Sequence, residues 1–243
     1  MTRTVAIVQA RTGSTRLPGK ILLPLLGEPV LVHVVRRLRR ARLLDEVVVA
    51  TTVAAADDAV AELAEANAWP LTRGSEEDLL DRYLDAARAF DAERVVRITS
   101  DCPMIDPDLV DDVVRALAPD VDYVSNSLPP RTTPRGLDAE AFTLAALERA
   151  DRDDHDPASR EHATPYLYRH PEVFRLARVD LERDWSEHRW TLDTPEDYEL
   201  IRRIYDALGR DDFGWRDVLA VVEANPGWSA VNRHVRQKTV PSS

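Results

Sequence analysis

The stretch "TVAIVQARTGSTRLPGK", residues 4–20, joins a strand-forming apolar run to a cationic turn. "TVAIVQ" is short and β-branched, the pattern of a strand buried on both faces. "QARTGSTRLPGK" then sets Arg11, Arg16 and Lys20 among three hydroxyls and two glycines. A glycine-containing turn behind a strand aims backbone N–H groups at an anion while cationic side chains clamp its oxygens. Counted spacings exclude two familiar phosphate loops. Five residues separate Gly13 from Gly19-Lys20 where a P-loop has four, and position 21 is Ile rather than Ser or Thr. The dinucleotide fingerprint needs three glycines, and residues 9–20 hold two. Strand-to-helix connections usually take ~2–6 residues, so a longer run of polar, cationic chemistry points to an anion.

Outward from this stretch, β-branched runs recur at 46–51, 94–99 and 122–126, and helical periods fill 29–42, 55–67, 75–90 and 107–117. Strands alternating with helices predict an α/β fold, a mostly parallel central sheet with helices on both faces. Residues 128–160 lose this rhythm and predict loops around a short helix at 139–150. A helix at 158–169, strands at 173–179 and 189–193, and helices at 195–208 and 215–224 follow. The tail from 236 reads as mobile. One domain, 1–243, is expected, with a loop-rich acceptor-binding or oligomerisation region at about 127–180.

The net charge of -11 argues against nucleic acid or an anionic membrane as partner. Residues 1–42 nevertheless hold nine Lys or Arg and one acid, Glu28. "VVRRLRRARLL" explains part of that as the solvated face of an amphipathic helix; Arg11, Arg16 and Lys20 lie ahead of it. No apolar run approaches the ~20 residues of a membrane span. The short path from Met1 to the first strand leaves no room for a signal peptide, and the expected location is the cytoplasm. Cys102, the single cysteine, has no internal disulfide partner and no histidine near it in sequence, so it gives no sign of a nucleophile.

A polyanion held by cations calls for a hard divalent metal, and such a metal takes carboxylates, here sought at strand ends. Asp101 follows the predicted strand 94–99; local chemistry alone leaves it open between ligand and turn residue. Asp106, in "DPDL", is the better helix cap. In "RWTLDTPEDYEL", Thr194 and Asp197 form a capping box, which leaves Asp193 without a required structural job.

Residues 4–38, with "TTVAAADDAV", "TRGSEEDLLDRY", "TSDCPMID", "REHATPYLYRHP" and "RWTLDTPED", resemble the CTP-dependent cytidylyltransferases. That family includes the CMP-KDO synthetases and acylneuraminate cytidylyltransferases, and the likeness is strongest to the spore-coat polysaccharide branch. It spans about 4–206 and implies a Rossmann-like nucleotidyltransferase fold of the GT-A kind. It further implies that Arg11, Ser14, Arg16 and Lys20 hold the triphosphate of CTP, and that Gln9, Ala10, Gly13, Arg73 and Thr99 flank the nucleotide. Asp101 and Asp193 become ligands of Mg2+. Arg11, Lys20 and Asp101 are the implied catalytic groups, and the implied assembly is a homodimer. Thr99 replaces a Gln of the KDO-activating members, and Ser100 a Gly usual in the nearer branch.

Arginine forks suit an acidic acceptor, a sugar acid or a phosphonate. Candidates are Arg135, Asp138 and Glu140 in "PRGLDAE", and Arg160, Glu161 and His162 in "REH"; the resemblance draws the last three towards the sugar. Two other readings stay open, a glycosyltransferase using a nucleotide sugar and a noncatalytic nucleotide-binding protein. The first commonly carries Asp-x-Asp, whereas Cys-Pro follows Asp101.

Overall fold

The computed structural model describes residues 2–238. Seven strands form one sheet: β1 (Thr4–Gln9), β4 (Glu46–Thr52), β5 (Leu71–Gly74), β6 (Arg94–Thr99), β7 (Tyr123–Ser125), β8 (Glu140–Thr143) and β9 (Leu176–Arg178), in the order β5-β4-β1-β6-β8-β7-β9. β2 (Pro24–Leu25) and β3 (Glu28–Pro29) make a separate two-stranded ribbon. Every pairing in the large sheet is parallel except the two made by β8.

β1 is central because both its faces are apolar. Ala6 and Val8 pack under α1 (Val30–Leu38), α2 (Asp58–Ala66) and α4 (Pro107–Ala116). Val5 and Ile7 face α3 (Leu79–Ala89) and α5 (Leu144–Asp153). That two-sided burial is what a parallel strand requires. After the short helices α6 (Pro157–Arg160) and α7 (Pro165–Arg169), the chain returns to build a third apolar cluster with α8 (Pro195–Leu208) and α9 (Trp215–Ala224).

Several sequence expectations are corrected. Residues 140–143 belong to a strand; Thr143 ends it and caps α5, its hydroxyl accepting from Ala146 N–H at 3.1 Å. β5 was not anticipated, being four residues long and paired only at its β4 edge. The expected helix 158–169 breaks into two where Ala163 takes φ +66° ahead of Pro165. Residues 189–193 are extended but make a single bridge, Arg135 with Arg189, because Trp190 and Leu192 turn into the third cluster. Ser75 does not open α3; its hydroxyl accepts from Asp78 N–H, and Asp78 is the cap. Nor is the face of α1 wholly solvated. Arg37 is fully buried and donates to the carbonyls of Ile105, Asp211 and Phe213 at 2.7, 2.6 and 2.9 Å.

Gly136 shows how closely the segment 189–193 is held. Its φ is +100°, and a Cβ there would stand 2.5 Å from Thr191 N and Trp190 C. Only glycine satisfies both the backbone conformation and that approach.

Candidate active site

β1 stops at Gln9, and the loop behind it is folded by its own polar groups. Thr12 N–H and its hydroxyl donate to Asp57 Oδ1 at 2.6 and 2.8 Å. Thr12 C=O accepts from Ser14 N–H at 2.8 Å and Gly19 N–H at 3.0 Å, closing residues 12–19 into a ring. Gly19, at φ +66°, then releases the chain into the 3₁₀ turn Lys20–Leu22. Burial opposes charge on Asp57, but the Thr12 and Thr52 donors outweigh it and hold its pKa below the usual carboxylate range.

Two acids reach the loop from opposite directions. Asp101 leaves the end of β6, and its C=O accepts from Leu192 N–H at 2.8 Å, which draws the segment before α8 alongside. Asp193 is thereby brought next to Asp101. Lys20 Nζ lies between them, 2.7 Å from Asp101 Oδ2 and 2.9 Å from Asp193 Oδ1. Arg16 reaches Asp193 Oδ2 at 2.9 Å, and Arg189 reaches the same oxygen at 2.8 Å. Burial opposes the Lys20 charge, yet the two carboxylates raise its pKa, so the ammonium is fully charged at neutral pH. Asp193 is the mirror case: burial resists ionisation, and Lys20, Arg16 and Arg189 lower its pKa.

A second layer fixes Asp193. Thr194 and Asp197 form the expected capping box of α8. Asp197, completely buried, also pairs with Arg189 at 2.9 Å and accepts from Asn232 at 2.9 Å. Asn232 escaped the sequence reading because its partners lie far along the chain; Arg189, with Asp193 and Asp197 only four and eight residues on, carried no motif of its own.

A cavity of about 330 Å³ opens over this cluster, within the ~300–1,000 Å³ usual for small-molecule sites. Gln9, Ala10, Arg11, Gly13, Ser14, Arg16, Lys20, Thr99, Asp101, Glu161, His162 and Asp193 line it. Arg11 meets Glu161 loosely, at 3.7 Å, with both side chains about half exposed. Arg82 and Lys238 also line the cavity, though no motif marked them. Arg73 does not: it is turned to the carbonyls of Thr52 and Ala54 and to Asp58.

A second cavity of about 510 Å³ shares His162 with the first and is walled by Arg97, Tyr123, Ser127, Leu128, Glu140, Thr164 and Tyr168. Glu140 pairs with Arg97 and accepts from Tyr123 Oη at 2.8 Å. Burial lowers the His162 pKa, so its imidazole is neutral at pH 7.

The remaining acceptor candidates lie elsewhere. Arg135 lines a third cavity beside Trp190. Asp138 pairs with Arg131. Arg160 is spent on the protein, with Asp78 at 2.6 Å, Asp151 at 2.8 Å and the carbonyls of Asp151 and Asp154 at 2.9 and 3.1 Å. Cys102 is buried, its thiol pushed up to about 12 by burial, which accords with the lack of a nucleophile signal.

Among the described residues no three His, Cys, Asp or Glu side chains gather as a complete metal cage. Asp101 and Asp193 still fit a hard divalent cation. Both are oxygen donors that already share one positive charge, and Mg2+ commonly takes one or two carboxylates with the rest from phosphate and water.

A family model described as cytidylyltransferase matches residues 5–219. An uncharacterized protein of Methanocaldococcus jannaschii is 35% identical over 240 residues, covering 97% of this chain and 96% of that one. The spore coat polysaccharide biosynthesis protein SpsF of Bacillus subtilis is 32% identical over 231 residues, covering 90% and 94%. A solved cytidylyltransferase from Leptospira borgpetersenii superposes with a TM-score of 0.90 at 35% identity, covering 98% of this chain and all of that one. The nucleotidyltransferase architecture, the loop ring and the paired aspartates stand together with these likenesses, and the chain belongs to the cytidylyltransferase family.

Proposed function

We propose that the protein transfers CMP from CTP to an acceptor oxygen, using Mg2+ held by Asp101 and Asp193. The acceptor oxygen bonds to the α-phosphorus, the bond to the β-phosphate oxygen breaks, and pyrophosphate leaves as the acceptor gives up its proton. The observation that carries this reading is the Lys20 ammonium held between two aspartates at the mouth of a cationic loop. A bound Mg2+ would supply charge neutralisation on the phosphate oxygens. Arg11, Arg16 and Lys20 take the triphosphate, and the backbone ring of residues 12–19 holds those cations in place around it. Such contacts contribute roughly 3–4 kcal/mol each to barrier lowering in preorganised sites. Gln9 and Thr99 are assigned to the base side, with the Gln9 side-chain oxygen Oε1 already accepting from Tyr83 and Arg97.

The acceptor in this proposal is an acidic sugar seated in the second cavity. Tyr123, Tyr168, Ser127 and Thr164 offer rings and hydroxyls suited to a polyol. Arg97 lines that cavity beside Glu140 and is assigned to the acceptor's carboxylate, while Arg11 stays with the triphosphate. Location in the cytoplasm and assembly as a homodimer, with no nucleic-acid or membrane partner, complete the proposal. No helix among the described residues is long and apolar enough to cross a membrane.

A pyrophosphate-release screen of the four nucleoside triphosphates against sugar acids and phosphonates, with Mg2+, tests the reading. The expected result is release from CTP that depends on an acid. Release of a nucleoside diphosphate from a sugar nucleotide would replace it with glycosyl transfer.

A further inference from the structure

The nucleotide cavity has one cationic wall residue that comes from the far end of the chain. Lys238 lines it, with Nζ 3.3 Å from the Thr15 hydroxyl. It is delivered by a segment fastened at several points. Asn232, 3% exposed, donates to Asp197 and to Arg189 C=O at 2.9 and 3.0 Å. Gln237 Oε1 accepts from Arg189 at 2.6 Å, and Arg236 C=O accepts from Arg16 at 3.4 Å. Residues 236–238, expected to be mobile, therefore lie across the loop, pinned to the arginine that steadies Asp193.

Charge pairing sets Lys238 apart from the three loop cations. Arg11 is paired with Glu161, Arg16 with Asp193, and Lys20 with both aspartates. Among the described residues no carboxylate pairs with Lys238, whose side chain is exposed toward the cavity mouth. An arriving triphosphate meets close protein carboxylates at Arg16 and Lys20 and a loose one at Arg11, but none at Lys238.

We propose that Lys238 is a further phosphate-binding residue, brought by the strap 232–238 to close the cavity over the terminal phosphates. The proposal rests on the reading of this cavity as a triphosphate site. Titration calorimetry on the full chain with Mg2+ tests it, using CTP, CMP and inorganic tripolyphosphate as probes. Lys238→Ala is expected to weaken CTP and tripolyphosphate about tenfold, the scale of one lost charge-assisted contact, and to leave CMP unchanged. Lys238→Arg should restore most of the loss. Asn232→Ala, which frees the anchor, should copy the alanine effect with an unchanged circular dichroism spectrum. Equal CTP binding by wild type and Lys238→Ala overturns the proposal, as does an equal loss for CTP and CMP. If tripolyphosphate binds through Lys238 while CTP does not, the strap stands and the cytidylyl reading falls. Binding of neither probe to the wild type overturns both.

Discussion

Two of the places where the described residues set one cation between two aspartates behave as opposites. Lys20 sits between Asp101 and Asp193 at a cavity wall. Arg160 sits between Asp78 and Asp151, joining the N-terminus of α3 to the end of α5. The difference lies in the cation. An ammonium is a point charge whose three donors rotate, so it can trade carboxylates for phosphate oxygens with little geometric penalty. A guanidinium is a rigid fork, and Arg160 also spends donors on the carbonyls of Asp151 and Asp154. The same electrostatic triad is thus exchangeable in one place and latched in the other.

The strongest way to break that comparison is at the exchangeable triad. Asp101→Ala is expected to lower kcat by about 10³, the scale of one preorganised electrostatic contact, with an unchanged thermal midpoint. Near-normal turnover would remove Asp101 from the metal site. Lys20→Ala should cost about 10²–10³ in kcat/KM for CTP, again with a folded protein, because Asp193 keeps Arg16 and Arg189 as partners and Asp101 is open to water. At the latched triad the pattern should invert. Arg160→Ala should destabilise by about 1–3 kcal/mol, since two partly buried carboxylates and two carbonyls lose their donors, while kcat stays within a few-fold. A large fall in kcat with unchanged stability would instead return Arg160 to the acceptor side. Gly136→Ala lies between these classes. It is expected to cost about 1–3 kcal/mol from strain alone and to slow turnover as well, because the segment it displaces carries Asp193.

The same contrast explains what could be read from the chain before its structure. β1, β6, α8 and α9 follow the expected bounds because each is a local period closed by a local signal, such as the Thr194–Asp197 box. Asp193 stood out because that box left it over, and the structure sets it beside Lys20. Most of what escaped was decided by partners distant in sequence. Arg160 looked like a ligand because nothing local shows Asp78 arriving beside it, and Arg37 looked solvated because its three carbonyl partners lie at 105, 211 and 213. β8 has four residues, too few for alternation to outweigh the helical pattern that follows. Lys238 carries no motif, and its partner Thr15 lies 223 residues away in sequence.

The smallest expected effect, in pH, separates the carboxylate clusters from the buried histidines. Burial is the first cause that lowers the pKa of His33, His162 and His188 below the ordinary 6.5. In the folded chain these rings stay neutral where the unfolded chain would already take up protons. Between their folded values and about 6.5 the unfolded state binds more protons, so stability must fall as pH drops through that window. Asp193, Asp57 and Asp211 are also depressed, from 3.8, with burial opposed by their cationic and hydrogen-bonding partners. Their contribution is present above that value and is lost only as pH falls below it. Two acid steps are therefore expected, a shallow one that begins below the ordinary histidine value of 6.5 and a steeper one below the ordinary carboxylate value of 3.8. His33, 1% exposed with Nε2 2.7 Å from Leu25 C=O, should dominate the first. His33→Gln keeps a donor for that carbonyl and has no charge to gain. Thermal midpoints followed from pH 8 to 5 should flatten in this variant and keep the lower step unchanged. An identical slope in the two proteins would move the first step away from the buried ring and onto the carboxylates.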